Sequence, residues 1–186
     1  MRVIAGAARG RPLRTVRSEG LRPTSDLVRG AIFDMVGPFF SERTRVADFY
    51  AGTGALGIEA LSRGADWADL VERNPRHCAV IRENLERTGF SEAARIFCRP
   101  LPQALQHLFG PYQLVFLDPP YAQPLDGMLF DLMIEHGLVE VGSLVVVEHS
   151  LRQPVQSSYS ALRLSKERQH GDTVISVYVM EGEDIG

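Results

Sequence analysis

The chain has 186 residues, 45% of them apolar and 23% charged, with a formal net charge of −3. That length suits one domain with a substantial core, and the longest apolar runs, such as Leu144 to Val147, fall far short of the ~18 residues of a membrane span. The N-terminus has no continuous apolar stretch of the ~7 to 15 residues an export signal needs, so a cytoplasmic protein is expected, with monomer as the default state.

Charge divides the chain at about residue 45. Up to Arg45, nine arginines face four acids, a balance of +5 that leaves −8 for the remainder. A basic arm on an acidic body suits a polyanionic partner, because phosphate attraction depends on local charge. Residues 1–45 therefore read as a basic extension for contact with that polyanion and 46–186 as the main domain. Within the extension, Arg2 to Ala5 and Leu13 to Val16 predict a small hairpin about Ala8-Arg9-Gly10-Arg11-Pro12. Thr24-Ser25-Asp26 offers caps for a helix carrying Leu27, Ala31, Ile32 and Met35 on one face and ending before Gly37-Pro38.

From Val46 onward, strands and helices alternate, as in a parallel sheet covered on both faces. Val46 to Tyr50 predicts the first strand, followed by the turn Ala51-Gly52-Thr53-Gly54 and a helix over Gly57 to Arg63. Ala68 to Val71 gives a second strand ending at Glu72, and Asn74-Pro75 marks a strong helix start. Ala94 to Cys98 and Gln113 to Leu117 are the third and fourth strands, with a short helix over Pro102 to Leu108 between them. A helix over Met128 to His136 and a strand at Leu144 to Val147 follow. Ala161 to Lys166 and Thr173 to Met180 have no helix between them and predict an antiparallel hairpin, completing a mostly parallel seven-stranded sheet. Cys78 and Cys98 lie in no Cys-x-x-Cys pair and near no histidine at ligand spacing. They read as two small buried hydrophobes, with neither a disulfide framework nor a metal.

Two motifs carry chemistry. Gly52-Thr53-Gly54-Ala55-Leu56-Gly57 matches G-x-G-x-x-G between a strand and a helix, where the backbone can approach a ligand closely. Glu72, at the end of the next strand, is placed to accept from both hydroxyls of a ribose. Asp48, just before the turn, would repel a pyrophosphate but favour the ammonium and sulfonium of S-adenosylmethionine, which argues against a dinucleotide. The second motif, Asp118-Pro119-Pro120-Tyr121, falls where the fourth strand ends. Its prolines hold the chain extended, so the Asp118 carboxylate and the Pro119 carbonyl can both accept from one exocyclic amine. Tyr121 would stack on the base.

Asp48-Phe49-Tyr50-Ala51-Gly52-Thr53-Gly54, Glu72 and Asp118-Pro119-Pro120-Tyr121 resemble class I S-adenosylmethionine methyltransferases acting on base amino groups. Arg2-Val3-Ile4-Ala5-Gly6, Arg9-Gly10-Arg11-Pro12-Leu13 and Leu21-Arg22-Pro23-Thr24-Ser25-Asp26-Leu27-Val28-Arg29 narrow the resemblance to the RsmD family of 16S ribosomal RNA guanine-N2 methyltransferases. The resemblance implies a Rossmann-like α/β fold and methyl transfer to N2 of one guanine in the assembled small subunit. It implies catalytic roles for Asp118, Pro119, Pro120 and Tyr121, and cofactor contacts from Asp48, Phe49, Tyr50, Gly52, Gly54, Glu72 and Arg73. RNA contacts are expected from Arg9, Arg11, Arg14, Arg17, Arg22 and Arg29. The acid that usually follows the third strand has no counterpart in Phe97-Cys98-Arg99-Pro100-Leu101, which leaves adenine to backbone groups and packing or implies weak binding of free cofactor. Two other functions use the same motifs: a DNA adenine-N6 or cytosine-N4 methyltransferase, and a non-catalytic RNA-binding assembly factor that retains cofactor binding.

Overall fold

A computed structural model of the chain describes residues 1–16, 25–38, 40, 43–120, 125 and 127–182. In chain order the elements are α1 (Asp26–Val36), β1 (Arg45–Phe49), α2 (Ala55–Ser62), β2 (Trp67–Glu72), α3 (Pro75–Thr88), β3 (Ala94–Cys98), α4 (Leu101–Ala104), β4 (Leu114–Leu117), α5 (Gly127–Glu135), β5 (Leu144–Ser150), β6 (Ser158–Tyr159), β7 (Leu162–His170) and β8 (Thr173–Met180). The strands form one sheet in the order β3-β2-β1-β4-β5-β8-β7-β6. The first five are parallel, and β8, β7 and β6 are antiparallel. The sheet has eight strands rather than the expected seven, because the two-residue β6 adds an edge too short to leave a periodic signal.

Strand alternation sorts the core into two layers. Val46, Leu70, Phe116 and Val146 point to one face and pack with α1, α2 and α3. Ala47, Val71, Val115 and Val147 point to the other and pack with α4 and α5. The helix starts follow the local chemistry. Ser25 Oγ accepts from Val28 N–H to cap α1, and Asn74 Oδ1 accepts from Arg76 N–H with Pro75 in the first turn of α3.

The N-terminal segment is not a freestanding hairpin. Its only β-bridge among the described residues joins Arg2 to Pro12, and Val3, Ala8 and Leu13 are buried in the same core as α2. The buried Glu59 carboxylate on α2 accepts from the N–H groups of Ile4 (2.8 Å) and Ala5 (3.0 Å). Ser62 Oγ accepts from Ala8 N–H and donates to the Ala5 carbonyl. At Gly6, φ is +80°, and a Cβ would lie 1.7 Å from the Ser62 carbonyl oxygen, so only glycine allows this approach. No described helix is long and apolar enough to cross a membrane.

The two cysteines are corrected by the fold. Residue 78 on α3 and residue 98 at the end of β3 are joined as a disulfide, with Cα atoms 6.0 Å apart. Cys78 is buried as expected, but Cys98 is exposed. Their 20-residue separation gives no sequence signal, whereas packing α3 over β2 and β3 brings them together. No group of potential metal ligands occurs among the described residues.

Candidate functional site

The strand order reverses between β1 and β4, and the acidic residues converge at the carboxyl ends of the strands about that point. Asp48 is buried in β1, and its Oδ2 accepts from Gly57 N–H at 2.9 Å. Burial is the main reason its carboxyl is pushed up to about 7. The Asp118 and Glu72 carboxylates push the same way, and the Gly57 amide opposes them. A cation beside Asp48 would reverse that balance. Glu72 is also buried; its Oε2 accepts from Gly52 N–H (2.9 Å) and its Oε1 from Asn74 N–H (2.8 Å). These bonds fix the carboxylate at the lip of the glycine turn while leaving acceptor capacity for a ligand hydroxyl.

The turn itself is unusual. Tyr50 has φ +64°, a left-handed conformation that is rare for an aromatic residue, and Gly52 (+56°) and Gly54 (+76°) follow in the same region. Burial raises the Tyr50 hydroxyl above its ordinary range, opposed by Arg73. A Cβ on Gly57 would sit 3.0 Å from the Leu70 side chain and 3.3 Å from Asp48 Oδ2, so the glycine lets α2 start against β1. Phe49 is fully buried in the core below, which leaves only its backbone facing the turn. Arg73 is exposed at the rim.

Asp118 follows β4 directly and is half-buried, Pro119 is buried and Pro120 exposed. The expected stacking residue, Tyr121, lies outside the described residues, as do Arg17 and Arg22. Pro119 and Pro120 line a cleft with Glu148, His149, Gln153 and Tyr159. The sequence reading attached no ligand role to Glu148 or His149. Both follow the apolar run Leu144 to Val147 within β5, and a carboxylate closing such a run is a signal that strand assignment alone passes over. Asn84 was also missed. This buried residue donates from Nδ2 to the carbonyls of Arg14 and Thr53 and accepts from Arg14 N–H, tying the arm to the glycine turn. Its mark was a polar side chain one turn from Ile81 and Thr88 on the inward face of α3.

Of the six arginines expected to contact RNA, the four among the described residues separate sharply. Arg9 and Arg11 are exposed, and Arg11 Nη1 donates to the Arg87 carbonyl at 2.8 Å. Arg14 is exposed but pairs with Glu83. Arg29 corrects the expectation: it is fully buried, and its Nη2 donates to the Arg2 carbonyl (2.7 Å) and Asp26 Oδ1 (2.8 Å). It fastens the arm to α1 instead of meeting solvent, because its position on the helix faces the sheet beside Ile32 and Phe33.

A parallel β3-β2-β1-β4-β5 sheet with an antiparallel β8 beside β5 and helices on both faces defines a class I methyltransferase fold. The chain belongs to the RsmD family of methyltransferases, whose model, described as "Conserved hypothetical protein 95", matches residues 1–179. The chain is 33% identical to "Putative rRNA methyltransferase YlbH" of Bacillus subtilis, over 98% of this chain and 100% of that protein. It is 31% identical to "Ribosomal RNA small subunit methyltransferase D" of Escherichia coli strain K12, over 98% and 91% respectively. Among solved structures, "Putative methyltransferase yhhF from Escherichia coli" superposes with a TM-score of 0.86 at 31% identity, covering 98% of this chain and 99% of that one.

Proposed function

We propose that the chain transfers a methyl group from S-adenosylmethionine to the exocyclic N2 of a guanine in small-subunit (16S) ribosomal RNA, with the assembled subunit as substrate. The observation that carries this reading is the meeting of Asp118-Pro119 with the buried Asp48 and Glu72 about one strand crossover. The small-subunit methyltransferase names of the relatives support the RNA class.

Glu72 would hold the ribose, the Asp48 carboxylate would face the cationic end of the cofactor, and the backbone of the Gly52 to Gly54 turn would pass beneath it. When bound, S-adenosylmethionine supplies the methyl group, whose bond to sulfur breaks with its electron pair left on sulfur as the amine nitrogen's lone pair forms the N–C bond. The Asp118 carboxylate and Pro119 carbonyl accept the two amine hydrogens and aim the nitrogen lone pair. The proton released from nitrogen passes to Asp118 or to water. Tyr121 would stack on the base. Arg9 and Arg11 would grip phosphates, ahead of Arg14, whose charge Glu83 already offsets.

The test is transfer of labelled methyl to unmodified small subunits, with naked ribosomal RNA and unmethylated duplex DNA in parallel and an Asp118→Ala protein as the blank. Label recovered as N2-methylguanine and reduced at least ~100-fold in the blank is expected. Label on DNA alone would replace the reading with a DNA methyltransferase. Cofactor binding without label on any substrate would replace it with an assembly factor. An Arg9→Ala/Arg11→Ala protein should bind RNA with a salt slope shallower by about one to two; an unchanged slope would remove the arm as the phosphate grip.

A further inference from the structure

The Asp118-Pro119 pair explains how an amine is held, but adenine, cytosine and guanine all carry one. We infer that Glu148 selects guanine, its carboxylate accepting the ring N1–H that lies next to the amine; this deepens the proposed function and rests on it.

Strands β4 and β5 run parallel, and their ladder ends with Leu117 opposite Val147; Asp118 comes directly after β4, and Glu148 is the next residue of β5. Strands in a sheet lie about 4.8 Å apart, so the two carboxyl-bearing positions come close together at the same end of the sheet. Glu148 is buried, and it lines the same cleft as Pro119 and Pro120. It follows the apolar run Leu144 to Val147 within β5.

The chemistry then separates the bases. In guanine, the ring nitrogen beside the amine carries a hydrogen. In adenine the corresponding N1, and in cytosine N3, presents a lone pair. An ionised carboxylate is an acceptor only, so Glu148 would complete the hydrogen bonding of guanine and face a lone pair in either other base. It accepts at about four positions, so bonds within the protein leave capacity for the base. A buried carboxylate set against a ring lone pair repels the wrong base, and that repulsion discriminates between substrates.

The experiment starts from the guanine that the wild-type protein methylates, and compares RNA carrying guanine at that position with RNA carrying 2,6-diaminopurine there. The analogue keeps the 2-amino group and replaces N1–H with a lone pair. Wild type should prefer guanine by about 10- to 100-fold in kcat/KM, the range of one well-placed hydrogen-bonding contact to a base. Glu148→Gln, which can donate from its amide, should lose most of that preference or invert it while still binding S-adenosylhomocysteine. Methyl recovered on adenine or cytosine would overturn the proposed function and this inference together. Methylation of guanine N2 by a wild type that uses diaminopurine equally well would overturn the inference alone. So would a Glu148→Gln protein, active or weakened, that keeps the wild-type ratio of the two substrates.

Discussion

Asp48 and Glu59 are both buried carboxylates within one strand-turn-helix unit, and the fold treats them oppositely. Glu59 accepts from two backbone N–H groups of the arm and from Arg63 Nε at 2.8 Å, so a cation and two amides surround it. Among the described residues, Asp48 accepts from Gly57 alone and has the Asp118 and Glu72 carboxylates as charged neighbours. A buried charge that is fully paired belongs to the scaffold. One left under-paired among like charges is held at a cost in stability and marks a place kept for a ligand. The glycine turn between them has the same character, with its left-handed Tyr50.

That contrast can be broken at either end. The largest effect on stability is expected from Glu59→Ala, which leaves two arm amides and the Arg63 guanidinium without their acceptor. A loss of about 3–5 kcal/mol in urea unfolding is expected, with faster proteolysis within residues 1–13. A loss below about 1 kcal/mol would mean that the arm docks through Val3, Ala8 and Leu13 alone.

Asp48→Asn should act in the opposite sense. The carboxyl titrates near pH 7 when folded and near 3.8 when unfolded. Its protonation therefore stabilises the fold at low pH, and that contribution is lost as pH rises through about 7. The difference in stability between variant and wild type should move in the variant's favour from pH 4 to 8, read by unfolding at each pH. The same variant should bind S-adenosylmethionine at least ~10-fold more weakly at pH 8, where the wild-type carboxylate is ionised. A flat difference curve would mean that Asp48 is already ionised well below pH 7.

The smallest effect is expected at the exposed Arg14–Glu83 pair. Glu83→Gln should change stability by less than about 1 kcal/mol. It should leave Arg14 freer to meet phosphate and so tighten RNA binding slightly at low salt. Weaker RNA binding in that variant would show that the pair positions Arg14 instead of masking it.

The sequence by itself determined what depends on neighbours along the chain. The β1 strand and its glycine turn, the Asn74-Pro75 helix start, the β7–β8 hairpin and the two prolines holding Asp118 are all local, set by backbone preference, capping and hydrophobic period. They were enough to give the fold class and the acids at the strand ends. Tertiary structure decided whatever depended on which surfaces meet. Arg29 turned inward because α1 packs on the sheet, Gly6 sits against Ser62 because the arm docks on α2, and Cys78 meets Cys98 because α3 lies over β3. The register that sets Leu117 opposite Val147, and so brings Asp118 and Glu148 to the same end of the sheet, is of the same kind: a match between strands 30 residues apart in sequence is fixed by burying both faces of the sheet, which no local pattern encodes.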